Sequence, residues 1–250
     1  MNILGVIPAR LRSTRMPRKM LALIDGKPLV WHTWNQAKKA KLLDRIIVAT
    51  DSREIERALS PFGVEVVLTP PSLKTGTDRV AVASSMIKKW TPNIVINIQG
   101  DEPMMPPSAI DMTAQLLVND RNAVMSTVAT PIREKSECAS PSIVKVVLDK
   151  DGYALYFSRS ELPNPRVKTT IPKLKHLGIY GYRLEFLKRF TKLPKGALEK
   201  SESLEQLRAL ENGYRIKVGV GEFNRIEVNT PHEFRLAKQA IERMAKKRHG

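Results

Sequence analysis

From residue 3 the chain runs Ile-Leu-Gly-Val-Ile-Pro-Ala without a polar break, then turns polar at Arg10. An apolar stretch of this length that does not alternate reads as a strand buried on both faces, the pattern of a parallel sheet. Short β-branched runs recur at residues 44–50, 64–68 and 94–98. Between them the apolar positions fall at helical spacing, which predicts helices over residues 29–40, 52–59, 80–89 and 109–117. Pro28 is placed to open the first of these at its N1 position, and Asp51-Ser52 to cap the second. Strands that alternate with helices imply parallel strands joined by helical crossovers.

The rhythm changes near residue 120. Runs at 124–130, 143–148, 153–158 and 176–183 read as strands with little helix between them, an antiparallel elaboration. Asp149-Lys150-Asp151-Gly152 has the Asp-Gly tip of a hairpin, and the Pro- and Lys-rich residues 161–175 read as a surface loop. Helices near 184–190 and 203–211, a strand at 215–220 and a helix from Pro231 onward complete the pattern. The expectation is one α/β domain in three parts: a parallel-sheet core over about residues 1–120, an elaboration over 121–230, and a C-terminal helix with a basic tail over 231–250.

Composition narrows the class. Hydrophobic content of 42% and charged content of 27% are those of a globular chain, and no apolar stretch approaches the roughly 20 residues of a membrane span. The first residues carry no charged, apolar and small-residue signal pattern, so the cytoplasm is the expected location. The single cysteine, Cys138, cannot form an internal disulfide and has no activating base beside it in sequence. A formal charge of +17 implies anionic ligands. Lys and Arg are spread along the whole chain, however, with a dense cluster only in the tail Lys246-Lys247-Arg248, so charge argues weakly for nucleic acid.

Two segments carry chemistry. The first strand empties into a loop with five cationic side chains, at positions 10, 12, 15, 18 and 19, and ligands of open α/β sheets gather at such strand ends. Arg forks and a Lys point charge at Arg10, Arg15 and Lys19 suit a polyphosphate. The second segment is Asn97-Ile98-Gln99-Gly100-Asp101-Glu102-Pro103, where a buried strand ends in Gly and two carboxylates. Asp101 at that edge is a candidate ligand for Mg²⁺, which takes hard oxygen donors and shares them with phosphates. The chain has no G-x-G-x-x-G after its first strand, no P-loop, no His/Cys zinc pattern and no Gly-x-Ser-x-Gly elbow. A basic loop beside an acidic strand end suits nucleotidyl transfer, in which positioning and charge neutralisation supply most of the rate.

The chain resembles the 3-deoxy-manno-octulosonate (KDO) cytidylyltransferases nearly end to end. The matching stretches are Ile-Pro-Ala-Arg at 7–10, Ser-Thr-Arg at 13–15, Gly-Lys-Pro at 26–28, Val-Ala-Thr-Asp at 48–51, Gly-Thr-Asp-Arg at 76–79 and Gln-Gly-Asp-Glu-Pro at 99–103. More specific are Val-Lys-Val-Val at 144–147, Tyr-Ala-Leu-Tyr-Phe-Ser-Arg at 153–159, His-Leu-Gly-Ile-Tyr-Gly-Tyr at 176–182 and Leu-Glu-Gln-Leu-Arg at 204–208. The resemblance implies a Rossmann-like, mostly parallel sheet of the nucleotide-diphospho-sugar transferase type and a homodimer formed through the antiparallel part. It implies that Arg10, Arg15 and Lys19 hold the CTP phosphates, that Gly76, Thr77 and Gln99 lie along the cytidine, and that Arg159, His176, Tyr180, Glu205 and Gln206 surround the sugar acid. The expected reaction gives CMP-KDO and pyrophosphate with Mg²⁺. An 8-amino or other sugar acid as substrate, and a catalytically weak nucleotide-binding protein, are the alternatives.

Three positions depart from the family pattern. Pro17-Arg18-Lys19-Met20 stands where Pro-Gly-Lys-Pro is usual, so a cation with a Cβ replaces a flexible Gly. Ser142 stands where Asn is common. Val228-Asn229-Thr230-Pro231-His232-Glu233 stands where Val-Asp-x-Pro-Glu-Asp is usual, so the second metal ligand implied by the family is here an amide, Asn229, without negative charge. If that segment is a regular strand, Glu227 shares the face of Asn229 and is the nearest compensating carboxylate.

Overall fold

Seven consecutive buried residues form β1 (Ile3–Ala9), flanked on both sides by parallel partners, which is why the run carries no polar face. The computed structural model describes residues 1–11, 13, 15–167 and 171–246. They group into two compact units, Met1–Asp111 with Asn224–Gly250, and Met112–Phe223.

In the first unit the chain continues through β2 (Leu23–Ile24), β3 (Lys27–Pro28), α1 (Leu29–Ala37), β4 (Arg45–Thr50), α2 (Arg53–Leu59), β5 (Val66–Leu68), α3 (Gly76–Met86), β6 (Ile94–Asn97) and α4 (Pro107–Asn119), whose last turns enter the second unit. Strands β6, β1, β4 and β5 lie side by side and all parallel, the mostly parallel sheet expected from the alternation. Leu4, Val6 and Ile7 of β1 are fully buried, each contributing about 1.5–3 kcal/mol. Ser52 caps α2 through its hydroxyl, which accepts the N–H of Glu54 and of Ile55.

Local chemistry moved several boundaries. Pro28 has an extended ψ of 147° and stands before the first helical residue rather than at N1, and α1 ends at Ala37 instead of running to residue 40. Helix α3 starts at Gly76, not 80, because Thr75 and Asp78 close a capping box: the Thr75 hydroxyl accepts the Asp78 N–H at 3.0 Å and Asp78 accepts the Thr75 N–H at 2.9 Å. Asp25 and Gly26, at φ 48° and 70°, make the tight β2–β3 hairpin, whose Asp-Gly signal lay in the sequence unread.

The second unit holds β7 (Met125–Pro131), α5 (Lys135–Ala139), β8 (Lys145–Leu148), β9 (Ala154–Ser158), β10 (Leu174–Arg183), α6 (Leu184–Phe190), α7 (Ala197–Glu202), α8 (Leu207–Glu211) and β11 (Ile216–Val220). Strand β10 pairs antiparallel with β7 and β8, and β8 with β9, as the second half of the sequence predicts, while β11 runs parallel to β7. Asp149 accepts from Gly152 through its carbonyl at 3.1 Å, with Gly152 at φ +75°, which closes the predicted hairpin. The helix expected over 203–211 is shorter, starting only at Leu207, and α7 precedes it as a helix the pattern did not predict, closed by Ser203 at a left-handed φ of 52°.

Residues 224–246 return to the first unit, and α9 (Pro231–Lys246) packs Phe234, Ala237 and Ile241 against Ile24, Leu29 and Val228. Most of the basic tail lies outside the described residues, as do Arg12, Thr14 and residues 168–170 of the predicted surface loop. Among the described residues no helix is long and apolar enough to cross a membrane.

Candidate active site

The carboxyl end of β1 opens onto a cavity of about 340 Å³ lined by Arg10, Ser13, Arg15, Lys19, Gly76, Gln99 and Asp101, together with Pro8, Met20 and Gly100. Six of the residues predicted from the cationic loop, the α3 start and the acidic strand end therefore share one cavity. Thr77, the seventh, is buried one residue inside α3. Tight packing sets the geometry: a Cβ on Gly100 would lie 2.7 Å from the Pro8 carbonyl oxygen, so the turn that presents Asp101 approaches β1 more closely than a side chain permits. The Thr33 hydroxyl of α1 donates to the Gly100 carbonyl at 2.9 Å and holds the turn from behind.

Lys19 is buried, and its ammonium donates to Asp101 Oδ2 at 2.7 Å and to the Val228 carbonyl at 2.7 Å. The Val228 N–H in turn donates to the Asp101 carbonyl at 2.9 Å. These bonds tie the segment carrying Asn229 to the acidic strand end. Arg15 donates to Asn229 Oδ1 at 2.9 Å, and Asn229 Nδ2 donates to Glu227 Oε1 at 2.5 Å. The segment is not a strand, so the parity premise fails, yet Glu227 reaches Asn229 all the same. Glu233 caps α9 by accepting the N–H groups of Asn229 at 2.7 Å and Thr230 at 2.8 Å. Arg18 sits at φ 57°, and its guanidinium pairs with Glu54 of α2, so the extra cation serves the loop's anchorage and does not line the cavity.

Glu102, the second carboxylate of the motif, is fully buried with Oε2 unpartnered. Burial pushes its carboxyl up to about 8, outweighing the opposing pull of Arg225, which bonds to its other oxygen. Glu102 is thus a structural partner of Arg225, a role the motif alone did not reveal.

The donors available to a metal are all oxygens: Asp101, Asn229 Oδ1 and Glu227. Among the described residues no three His, Cys, Asp or Glu side chains cluster as a self-contained metal cage. Such a sparse set fits Mg²⁺, which is held by one or two carboxylates and completes its shell with water and substrate phosphate.

A second cavity of about 530 Å³ shares Arg10 and is lined by Asp51, Ser52, Arg53, Pro71, Leu73 and Arg79. Arg79 is fully buried and donates to Asp51 Oδ2 at 2.8 Å, joining two of the family-like motifs. Burial pulls its guanidinium below the usual value, with Asp51 opposing and Arg10 adding to the shift.

The residues expected around a sugar acid lie in the second unit. The bulge in β10 between Leu177 and Tyr180 re-aims the strand there, a device common beside binding sites. His176 is buried between Phe157 and Tyr180, with ring centroids 5.1 Å and 5.3 Å away. Its Nε2 lies 2.9 Å from the Thr127 hydroxyl, which also reaches the Ile179 carbonyl at 2.6 Å and the Leu177 carbonyl at 3.2 Å. Tyr180 donates to Gln206 at 3.1 Å. Glu205 lies 3.4 Å from Arg208, whose guanidinium forks onto buried Glu199 at 2.6 and 2.7 Å. Arg159 is turned to the main chain, donating to the carbonyls of Glu202 and Pro141. His176, Tyr180 and Gln206 thus form one connected group, while Arg159 is anchored at the end of α7.

Residues 4–216 match the family model described as cytidylyltransferase. The chain is 44% identical over 246 residues, 97% of its own length and 96% of the relative's, to the 3-deoxy-manno-octulosonate cytidylyltransferase of Polynucleobacter necessarius. It is 43% identical over 242 residues, 96% of its length and 99% of the relative's, to the 8-amino-3,8-dideoxy-manno-octulosonate cytidylyltransferase of Shewanella sp. strain ANA-3. Among solved structures, a CMP:2-keto-3-deoxy-manno-octonic acid synthetase complexed with CTP superposes with a TM-score of 0.92 at 35% identity, covering 98% of this chain and all of that one.

Proposed function

The chain belongs to the cytidylyltransferase family, and from that membership we propose that it transfers CMP from CTP to the anomeric hydroxyl of KDO and releases pyrophosphate. The observation that carries this reading is the cavity in which Arg10, Arg15 and Lys19 stand beside Asp101 at the end of a parallel strand. Three cations there offset part of the charge of a triphosphate, and the fork geometry of Arg suits bidentate contact with phosphate oxygens. Lys19, already desolvated and fixed by two acceptors, is preorganised to neutralise charge that builds on the departing pyrophosphate. Gly76 and Gln99 on the cavity wall line the path of the cytidine. In the second unit, Tyr180, His176 and Gln206 carry hydrogen-bonding groups of the kind sugar hydroxyls need, with Glu205 next to Gln206 in sequence and Arg159 at the end of α7.

Asp101 and Asn229 would hold Mg²⁺. When bound, the ion adds charge neutralisation at the phosphates. Attack is in line, the sugar oxygen forming a bond to the α-phosphorus as the bond to the β-phosphate bridging oxygen breaks and the hydroxyl proton passes to water. A homodimer formed through the antiparallel unit belongs to the same reading.

A second sugar is supported by the near-equal similarity to the relatives named for the 8-amino substrate. Pyrophosphate release tests both. CTP with KDO should turn over, with loss of activity on chelation of Mg²⁺ and on replacement of CTP by UTP, ATP or GTP; faster turnover of the 8-amino sugar would move the assignment to that substrate. No release with either sugar, despite measurable CTP binding, would refute the enzymatic reading in favour of a nucleotide-binding protein.

A further inference from the structure

An amide at position 229 differs from a carboxylate in more than charge. A carboxylate offers oxygen whichever way it rotates, whereas an amide turned by 180° presents an N–H₂ group that repels a cation. Two contacts fix the rotation here. Glu227 Oε1 takes the Nδ2 proton at 2.5 Å, and Arg15 Nη2 donates to Oδ1 at 2.9 Å, so the oxygen faces the cationic loop that lines the cavity. The backbone of Asn229 is held separately by Glu233, which leaves the side-chain rotation to Glu227 and Arg15. Glu227 is in turn steadied by Arg225 at 3.4 Å, whose guanidinium is anchored on buried Glu102.

We propose that Glu227 is a positioning residue that makes an amide serviceable as a metal donor, by holding Asn229 Oδ1 toward the cation. The inference rests on the nucleotidyl-transfer reading above, and it assigns Glu227 a role that an aspartate at position 229 would not need. Arg15 holds the oxygen in the free protein, and it is also a phosphate ligand; once it moves to the nucleotide, Glu227 alone keeps the amide turned.

A double-substitution cycle tests this with Mn²⁺ as the probe and no sugar present. The quantity read is the factor by which saturating Mn²⁺ tightens CTP binding, measured by calorimetry. Glu227→Ala should cut that factor about tenfold more in the Asn229 protein than in the Asn229→Asp background, the range seen when supporting partners of metal ligands are lost. Glu227→Gln, whose carbonyl still accepts the Nδ2 proton, should retain more of the factor than Glu227→Ala. Glu227 is 41% exposed at its side chain, so alanine should fold, and Glu227→Ser repeats the cycle if it does not. Equal losses in the two backgrounds, or none in the Asn229 protein, would overturn the inference while leaving the enzymatic reading intact. Failure of the unsubstituted protein to bind CTP even without Mn²⁺ would overturn the reading itself, and the inference with it.

Discussion

Replacing Gly100 by Ala should damage both stability and turnover, for a reason that is steric and local. Gly100 has no positive φ, so the requirement is space: the new Cβ would stand 2.7 Å from the Pro8 carbonyl oxygen and 3.3 Å from Met20 Cε and Sδ. Met20 can shift, but Pro8 belongs to β1, which is buried and paired on both sides. Relief requires the turn and the strand to part by roughly 0.5 Å or more against close-packed neighbours, a cost of about 1–3 kcal/mol. In a chain of this size that lowers Tm by about 2–12 °C. The displaced turn carries Asp101, and a shift approaching 1 Å at such a site costs up to about 100-fold in kcat/KM. Gly76→Ala is the control: its nearest neighbours, Cγ and Cβ of Pro8, are 3.7 and 3.9 Å away, so the fold should tolerate it. Thermal unfolding and pyrophosphate release on both variants check the argument. An unchanged Tm for Gly100→Ala would refute it, because the close approach would then not be enforced by packing.

Three further outcomes follow from the same geometry. Arg208→Met should destabilise the second unit by about 3–5 kcal/mol by leaving Glu199 buried without its fork, whereas the paired change Arg208→Met with Glu199→Leu should recover most of that loss, as denaturant titration would read. His32 is buried with Nε2 on the Ile24 carbonyl, and burial holds its pKa below the ordinary 6.5 against that bond. Below about pH 6.5 the unfolded chain therefore binds more protons than the folded one, so stability falls as pH drops through that range; Tm measured from pH 8 to 5 should decline, and His32→Gln should flatten the slope. Arg18→Gly should leave stability within about 1 kcal/mol, the relief of a left-handed Arg offsetting the loss of an exposed pair with Glu54, and should leave CTP affinity unchanged; a tenfold loss of affinity would mean that Arg18 reaches the phosphates.

The parallel sheet and the nucleotide half of the site were legible in the chain because their signals are local. A strand buried on both faces must be apolar throughout, and the residues at its carboxyl end fall in the next few positions, so Ile3–Ala9 followed by Arg10, Arg15 and Lys19 announces itself. Asp101 followed from the same rule at the end of β6. Boundaries that a single side chain sets, as Thr75 and Asp78 do for α3, shift with capping geometry and were missed by several residues. What tertiary structure alone decided is how residues more than eighty positions apart meet. Lys19 bridges Asp101 and Val228, Arg15 meets Asn229, and Arg225 meets Glu102, because residues 224–246 return to the first unit. Sequence parity could only guess at Glu227, since parity needs a regular strand and this segment is irregular. The identity of position 229 as an amide is written in the chain; which of its two ends faces the cations is fixed by hydrogen bonds that exist only once the chain has folded.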